Sequence, residues 1–318
     1  MINRRHFLKV SAATATGIAV SPFAFSEVSK KTSKVGIQLF SIPTMMSRDF
    51  EGTMKKLAGI GYKEIEFFGP YEFSAPETIE GWKPLADQLG ITQNAFYGHK
   101  PAEIKRILSD LGLTTPSVHL DLFTFRRNLH PAMDQLEKLG TKYAAIPAIA
   151  NPDDRADFGK LAEEFNSFGK EMAKHGITFV YHNHGYEHAQ KDGKVLMNVL
   201  LNETDPKTVK FELDIFWMSA AGASPLEYLK KYPGRFKLLH LKDASEPVRF
   251  SGDGNTPDQW FSIFGKMADP GTGVFDIPAI IDAASKSGAE HFYLERDLAP
   301  EPEQTLTRSF SYLSKTMK

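Results

Sequence analysis

Glu171-Met172-Ala173-Lys174-His175-Gly176-Ile177-Thr178-Phe179-Val180-Tyr181-His182-Asn183-His184 is the stretch that decides the fold. It closes an amphipathic pattern running from Asp154 to His175, which predicts a helix. Gly176 follows as a helix stop, because a helix C-terminus favours a left-handed residue that glycine adopts without steric cost. Thr178–His184 then opens with β-branched and aromatic residues, the composition of a buried strand, and ends in three polar ones.

The same rhythm recurs on both sides. Candidate strands are Val35–Ser41, Glu64–Gly69, Pro116–Leu122, Tyr143–Ile149, Thr178–His184, Val209–Ile215, Phe236–Asp243 and Phe292–Asp297. Helical patterns separate them, with stops at Gly61, Gly90, Gly112, Gly140, Gly176 and Gly288 and a last helix from about Pro302 to Met317. Strand–helix alternation implies a parallel sheet. Eight units with no linker rich in Ser, Gly or Pro predict one α/β domain, a (β/α)8 TIM barrel over residues 27–318. Two connections depart from the simplest plan. The second and third strands are separated by two helical patterns and the segment Ile91–His99, and a long connection runs from Ala244 to Phe275 after the seventh strand. In a barrel the latter lies at the catalytic face, as a lid or a plain insertion.

The chain has 318 residues, 42% hydrophobic and 24% charged, with no cysteine. Disulfides and thiolate ligands are therefore excluded, and any metal site must use His, Asp and Glu. Asn3-Arg4-Arg5-His6-Phe7-Leu8-Lys9 precedes a mild apolar stretch, Val10–Phe25, and small residues at Ala24-Phe25-Ser26. Residues 1–26 thus resemble a twin-arginine export signal, and the expected destination is the periplasm or another exported location. No other segment approaches the roughly 20 apolar residues of a membrane span, so no membrane association is expected after cleavage. Arg4, Arg5 and Lys9 are the only charged residues of 1–26, which leaves 35 basic against 39 acidic residues, a net charge of −4. That balance argues against a nucleic-acid partner.

In a barrel, side chains at the C-terminal strand ends line the active site. Those ends are unusually polar here: Glu66; His119 and Asp121; His182, Asn183 and His184; Glu212 and Asp214; His240, Lys242 and Asp243; Glu295, Arg296 and Asp297. One such residue is commonly a hydrogen-bonded loop anchor. His, Asp, His and Glu at four successive strand ends are costly to bury together without a compensating cation. Imidazoles and carboxylates without thiolate suit Mn²⁺, Zn²⁺, Co²⁺ or Fe²⁺, and Mg²⁺ less well.

Gly36-Ile37-Gln38-Leu39, Tyr181-His182-Asn183-His184, Lys210-Phe211-Glu212-Leu213-Asp214, His240-Leu241-Lys242-Asp243, Gly271–Asp276 and Tyr293-Leu294-Glu295 together resemble the sugar phosphate isomerase/epimerase superfamily, with its xylose-isomerase-like barrel, over residues 34–318. The resemblance implies one divalent metal held from strands five to eight, by His182, Asp214, His240 and Glu295 in this sequence. His182 departs from the sugar epimerases, which carry a glutamate there and trade a proton between it and the strand-eight glutamate. The His-x-His at strand five is more similar to inosose dehydratases and related keto-sugar lyases.

The reaction so implied is α-proton abstraction from a sugar, keto-sugar or inositol derivative through a metal-stabilised enediolate, leading to isomerisation, epimerisation or β-elimination. His184, Glu187 and Glu295 are the candidates for the base. Glu66, His119, Lys242 and Trp217 are expected to contact substrate, with Phe40, Phe68 and Tyr97 as further aromatic surfaces. Glu212 shares a strand face with Asp214 and is the natural partner of a ligand. No phosphate motif is present, so the substrate is expected to be unphosphorylated. The alternative class is a non-catalytic exported sugar-binding protein with a relict metal site. Nothing in the sequence marks an oligomer interface.

Overall fold

The structure is a computed structural model in which residues 34–91, 94–149 and 151–318 are described. The segment read as an export signal lies outside the described residues. All eight expected strands form: β1 Val35–Gln38, β2 Glu64–Glu66, β3 Ser117–His119, β4 Tyr143–Ile146, β5 Thr178–His182, β6 Val209–Asp214, β7 Phe236–Leu241 and β8 His291–Leu294. They pair in parallel in the order β2-β1-β8-β7-β6-β5-β4-β3. Isolated parallel bridges, Glu64 with Thr114 and Phe67 with Val118, join β2 to the β3 side and bring the sheet round to a nearly closed barrel.

The outer helices follow the glycine stops: α1 Phe50–Ile60, α2 Pro76–Leu89, α3 Pro101–Asp110, α4 Leu129–Leu139, α5 Phe158–Ala173, α6 Leu196–Glu203, α7 Pro225–Lys231, α8 Ile277–Ser287 and α9 Pro302–Thr316. The strands end earlier than their composition suggests. Their polar ends leave the ladder to cap or anchor the next segment: Asp214 accepts from the backbone N–H of Phe216 and Trp217, both at 2.9 Å, and starts a short helix, Ile215–Ala220.

Side-chain alternation sorts the strands into two environments. Outward-facing residues such as Phe179, Tyr181, Phe211 and Leu213 pack against the helices in the large core. Inward-facing residues fill the barrel in layers. Tyr143, Ala145, Val180, Leu238 and Tyr293 make an apolar plug. Gly36 belongs to this layer because the Tyr293 ring fills its side-chain space; a Cβ there would lie 2.5 Å from Tyr293 Cδ1. Two residues further along each strand, toward its C-terminus, the inward positions become Gln38, Glu66, His119, His182, Glu212 and His240, all buried.

The long connection after β7 is an organised loop. Asp243-Ala244 pairs antiparallel with Met267-Ala268. The Asp243 carboxylate accepts four backbone N–H groups, from Ala244, Gly271, Gly273 and Phe275, at 2.8–3.1 Å. Gly273 is required here, since a Cβ would fall 2.3 Å from Asp243 Oδ1 and 2.2 Å from Ala244 O.

Candidate metal centre

The site is built from the polar layer upward. Glu212, fully buried on β6, is its hub. Its Oε2 lies 2.9 Å from His119 Nε2 and 3.1 Å from His182 Nδ1, and its Oε1 lies 3.1 Å from His240 Nε2. Glu66 Oε2 takes the other side, 2.6 Å from His240 Nε2 and 2.9 Å from the Gln38 amide that donates to it. A carboxylate only accepts, so the imidazole nitrogens facing Glu212 and Glu66 carry protons. That fixes which nitrogen each ring turns the other way: His182 presents Nε2 and His240 presents Nδ1 to the next layer.

Asp214, Glu295 and Lys242 meet those two nitrogens. Asp214 Oδ2 lies 3.7 Å from His182 Nε2 and 3.9 Å from His240 Nδ1. Glu295 Oε2 lies 2.5 Å from His240 Nδ1, though off the line of a hydrogen bond. Ligand atoms of Asp214, His240 and Glu295 all lie within 4.8 Å of one another. Two carboxylates converging with the His240 nitrogen, with Asp214 Oδ2 and His240 Nδ1 in no hydrogen bond, form a donor set that fits a divalent transition ion. Asp214, His240 and Glu295 are the residues that would hold it, and His182 Nε2, 3.7 Å from Asp214 Oδ2, stands beside them. Lys242 Nζ sits among the anions, 3.0 Å from Asp214 Oδ2, 3.0 Å from Glu295 Oε2 and 2.9 Å from Asp297.

The electrostatics stem from crowding charges in a buried layer. Burial alone would lower His119, but Glu66 and Glu212 outweigh it and lift the imidazole to about 9. Burial likewise opposes a charged His240, and Glu212, Glu295 and Glu66 raise it well above the usual histidine range. Against burial, His240 and the hydrogen-bonded imidazoles hold Glu212 well below the usual carboxylate range, and Lys242 and His240 do the same for Glu295. Burial, with Glu295 and Asp214 crowding it against the pull of Lys242, pushes Asp297 up to about 8. The upper layer therefore holds more carboxylate than one ammonium can neutralise.

Asp214, His240 and Glu295 thus come together as the sequence predicts, and His182 joins through Asp214. The expectation that Glu66 and His119 touch substrate is corrected. Both are buried; Glu66 Oε2 is spent on Gln38 and His240, and the His119 nitrogens on Gln38 and Glu212, so they act on the ligand imidazoles from beneath, with Glu66 Oε1 left without a partner. Glu187 is also diverted from the role of base. It is fully buried, with one oxygen accepting from Tyr181 Oη and the His184 N–H and the other from the Gly185 N–H, which ties down the loop after β5. His184 remains: its ring lies 4.4 Å from both Trp217 and Trp260, and Nδ1 is buried without a hydrogen-bond partner. Burial first, then His182 and Lys242, lower it well below the usual range and keep it neutral. Trp217 is fully buried, stacked on Phe250 at 6.0 Å and 5.1 Å from Lys242 Nζ. Phe250 and Trp260 come from the Ala244–Phe275 connection, so that loop covers the site. Phe40 and Phe68 instead form an edge-to-face pair beside Trp82, and Tyr97 stacks on Phe50. Sequence reading misses Phe250 and Trp260 as neighbours of the site, and names Asp297 at a strand end without its pairing to Lys242. Only the position of the connection after strand seven hints at the two aromatics.

Comparison with known proteins agrees with this fold. Residues 54–316 match the xylose isomerase-like TIM barrel family. An inosose dehydratase of Bacillus cereus is 27% identical over 163 residues, 51% of this chain and 53% of that protein. The chain spans about half the length of the curated relatives it matches. The fold is shared with a sugar phosphate isomerase/epimerase from Parabacteroides distasonis, with TM-score 0.69, 24% identity, and 97% and 98% of the two chains covered. It is also shared with the IolI protein, whose crystal structure holds a zinc atom, with TM-score 0.60, 15% identity, and 89% and 96% covered. By its eight-stranded barrel and this family-wide match, the chain belongs to the xylose isomerase-like TIM barrel family.

Proposed function

We propose that this protein is a metal-dependent enzyme that removes the α-proton of an unphosphorylated keto-sugar, keto-glycoside or inositol ketone, with β-elimination as the favoured outcome. The observation that carries the reading is the convergence of Asp214, His240 and Glu295, with His182 turned toward them by Glu212. A divalent ion held there would polarise the substrate carbonyl and stabilise negative charge developing on its oxygen. Likeness to inosose dehydratases supports the lyase outcome over epimerisation, as does the imidazole of His182 where an epimerase needs a second glutamate. Among the base candidates, Glu295 is committed to His240 and Lys242, and Glu187 to Tyr181 and backbone. His184, with Nδ1 unpartnered, is the group that the hydrogen-bond network leaves open to take the proton. Trp217 and Trp260 beside it would exclude water from that transfer. With residues 1–26 read as an export signal, the reaction would run outside the cytoplasm.

The test joins metal analysis to proton exchange. The wild-type protein should hold about one transition ion per chain, lost in Asp214→Ala and Glu295→Ala. It should also exchange the α-proton of an accepted ketone in D₂O, and His184→Ala should abolish exchange while keeping the metal. Absence of both metal and exchange after reconstitution with Mn²⁺, Zn²⁺ and Co²⁺ would overturn the proposal.

A further inference from the structure

Lys242 has more anionic partners than its role beside a substrate requires. Its ammonium meets both oxygens of Asp297 at 2.9 Å, Asp214 Oδ2 at 3.0 Å and Glu295 Oε2 at 3.0 Å. Three N–H donors face four carboxylate oxygens from three acids. The Asp214 and Glu295 oxygens are the same two that face His240 Nδ1, at 3.9 and 2.5 Å. The ammonium therefore supplies positive charge to the atoms a metal ion would need.

A divalent ion and an ammonium both touching those oxygens would repel strongly in so buried a place, where screening by water is weak. Asp297 differs from the other two acids. It binds the ammonium through both oxygens, and it is absent from the ligand groupings. It offers the lysine a partner outside the ligand set, and the Trp217 ring, 5.1 Å from Nζ, offers a second favourable contact.

We propose that Lys242 is a resident counter-ion that neutralises Asp214 and Glu295 in the metal-free protein, and that metal binding displaces its ammonium onto Asp297. Lys242 keeps its proton throughout. One cation replaces another at the two ligand oxygens, and the displaced one keeps its charge against Asp297. Metal affinity is then the difference between two occupancies, set by Lys242 and Asp297, neither of which is a ligand. The idea rests on the metal centre of the proposed function.

The experiment titrates Mn²⁺ or Zn²⁺ alone, by chelator competition, into metal-free wild type, Lys242→Met, Asp297→Asn and the double variant, with thermal unfolding of each without metal. Lys242→Met should bind about tenfold tighter or more, because the competitor is gone. Asp297→Asn should bind about tenfold weaker, because the displaced ammonium loses one of the two carboxyl oxygens that hold it away from the ligands. The double variant should match Lys242→Met, since Asp297 acts only through the lysine. Metal-free Lys242→Met should also melt lower than wild type and be rescued by the ion. Unchanged or weaker binding by Lys242→Met, or an Asp297→Asn loss that persists with Met at 242, overturns the proposal. If Lys242→Met does not fold, an Asp297→Asn protein with wild-type affinity overturns it alone. Binding by Lys242→Met but not by wild type would keep this inference and remove the proposed metal from the native protein. Binding by neither would end both.

Discussion

Glu212→Gln keeps the shape of the side chain at the hub of the site and removes its charge. Glu212 Oε2 accepts from His119 and His182 at 2.9 and 3.1 Å, and its Oε1 faces His240 Nε2 at 3.1 Å without a hydrogen bond. A glutamine oxygen can still accept from His119 and His182. Its amide nitrogen must then face His240 Nε2, setting donor against donor. Glu66 still accepts the Nε2 proton at 2.6 Å, so the ring would tilt away from the amide toward Glu66 and carry Nδ1 off the position it presents to Asp214 and Glu295. Breaking a buried charged network by removing one partner costs about 3 kcal/mol or more, and a residue that orients a metal ligand is worth roughly 10–100-fold in metal affinity. At about 2–4 °C per kcal/mol for a domain of this size, Glu212→Gln should unfold roughly 10 °C earlier, keep its far-ultraviolet circular dichroism, and bind metal roughly 10–100-fold more weakly. Chelator competition and thermal unfolding read the two effects separately. A variant that melts early but binds metal like wild type would refute the role assigned to Glu212 in orienting the ligand imidazoles.

Further tests lie away from the ligands. His188 is partly buried with both ring nitrogens out of solvent and unpartnered, and burial lowers it to about 4 from an ordinary 6.5. Its folded value is depressed, so its stability contribution is complete above about pH 6.5, falls between about 6.5 and 4, and is gone below, a loss of up to about 3 kcal/mol. His188→Phe, which keeps the edge contact to Tyr228, should flatten that limb of the urea-unfolding profile; an unchanged limb would refute the assignment. Gly273→Ala drives a Cβ into Asp243 and Ala244 O, and should cost about 2 kcal/mol or more with the Ala244–Phe275 loop opened to limited proteolysis. Wild-type protease resistance would show that the four-fold backbone anchor does not hold the loop.

Legibility in the sequence tracks the range of each interaction. Strands and helices are readable because β-branched runs, amphipathic spacing and glycine stops are local. Asp214, His240 and Glu295 are readable because alternation along a strand says which residues face inward and which lie at the C-terminal end. Contacts that cross the barrel are not. Nothing near Glu66 says that its carboxylate is spent on His240, 174 positions away, and nothing near Lys242 names Asp297, 55 positions on. The short helices Leu122–Arg127 and Ile215–Ala220 begin where the candidate strands end, at Leu122 and Ile215, and carry no helical pattern long enough to read in the sequence. Their leading aspartates, Asp121 and Asp214, cap them by hydrogen bonds that composition does not reveal. His184 and Glu187 stand three residues apart and look equivalent as bases. A single hydroxyl, Tyr181 Oη, and two N–H groups separate them.

The Asp243 anchor has a consequence for redesign. The residue that fastens both ends of the Ala244–Phe275 loop is three positions from His240 and directly follows Lys242. The span between Ser245 and Lys266 leaves and re-enters the barrel through the adjoining antiparallel pair, so its length and content are uncoupled from where the ligands stand. Phe250 and Trp260, the side chains it lays over the centre, travel with it. The loop is a cartridge in a fixed socket: exchanging residues 246–265 for another segment would change what the site admits and leave the chemistry beneath it in register.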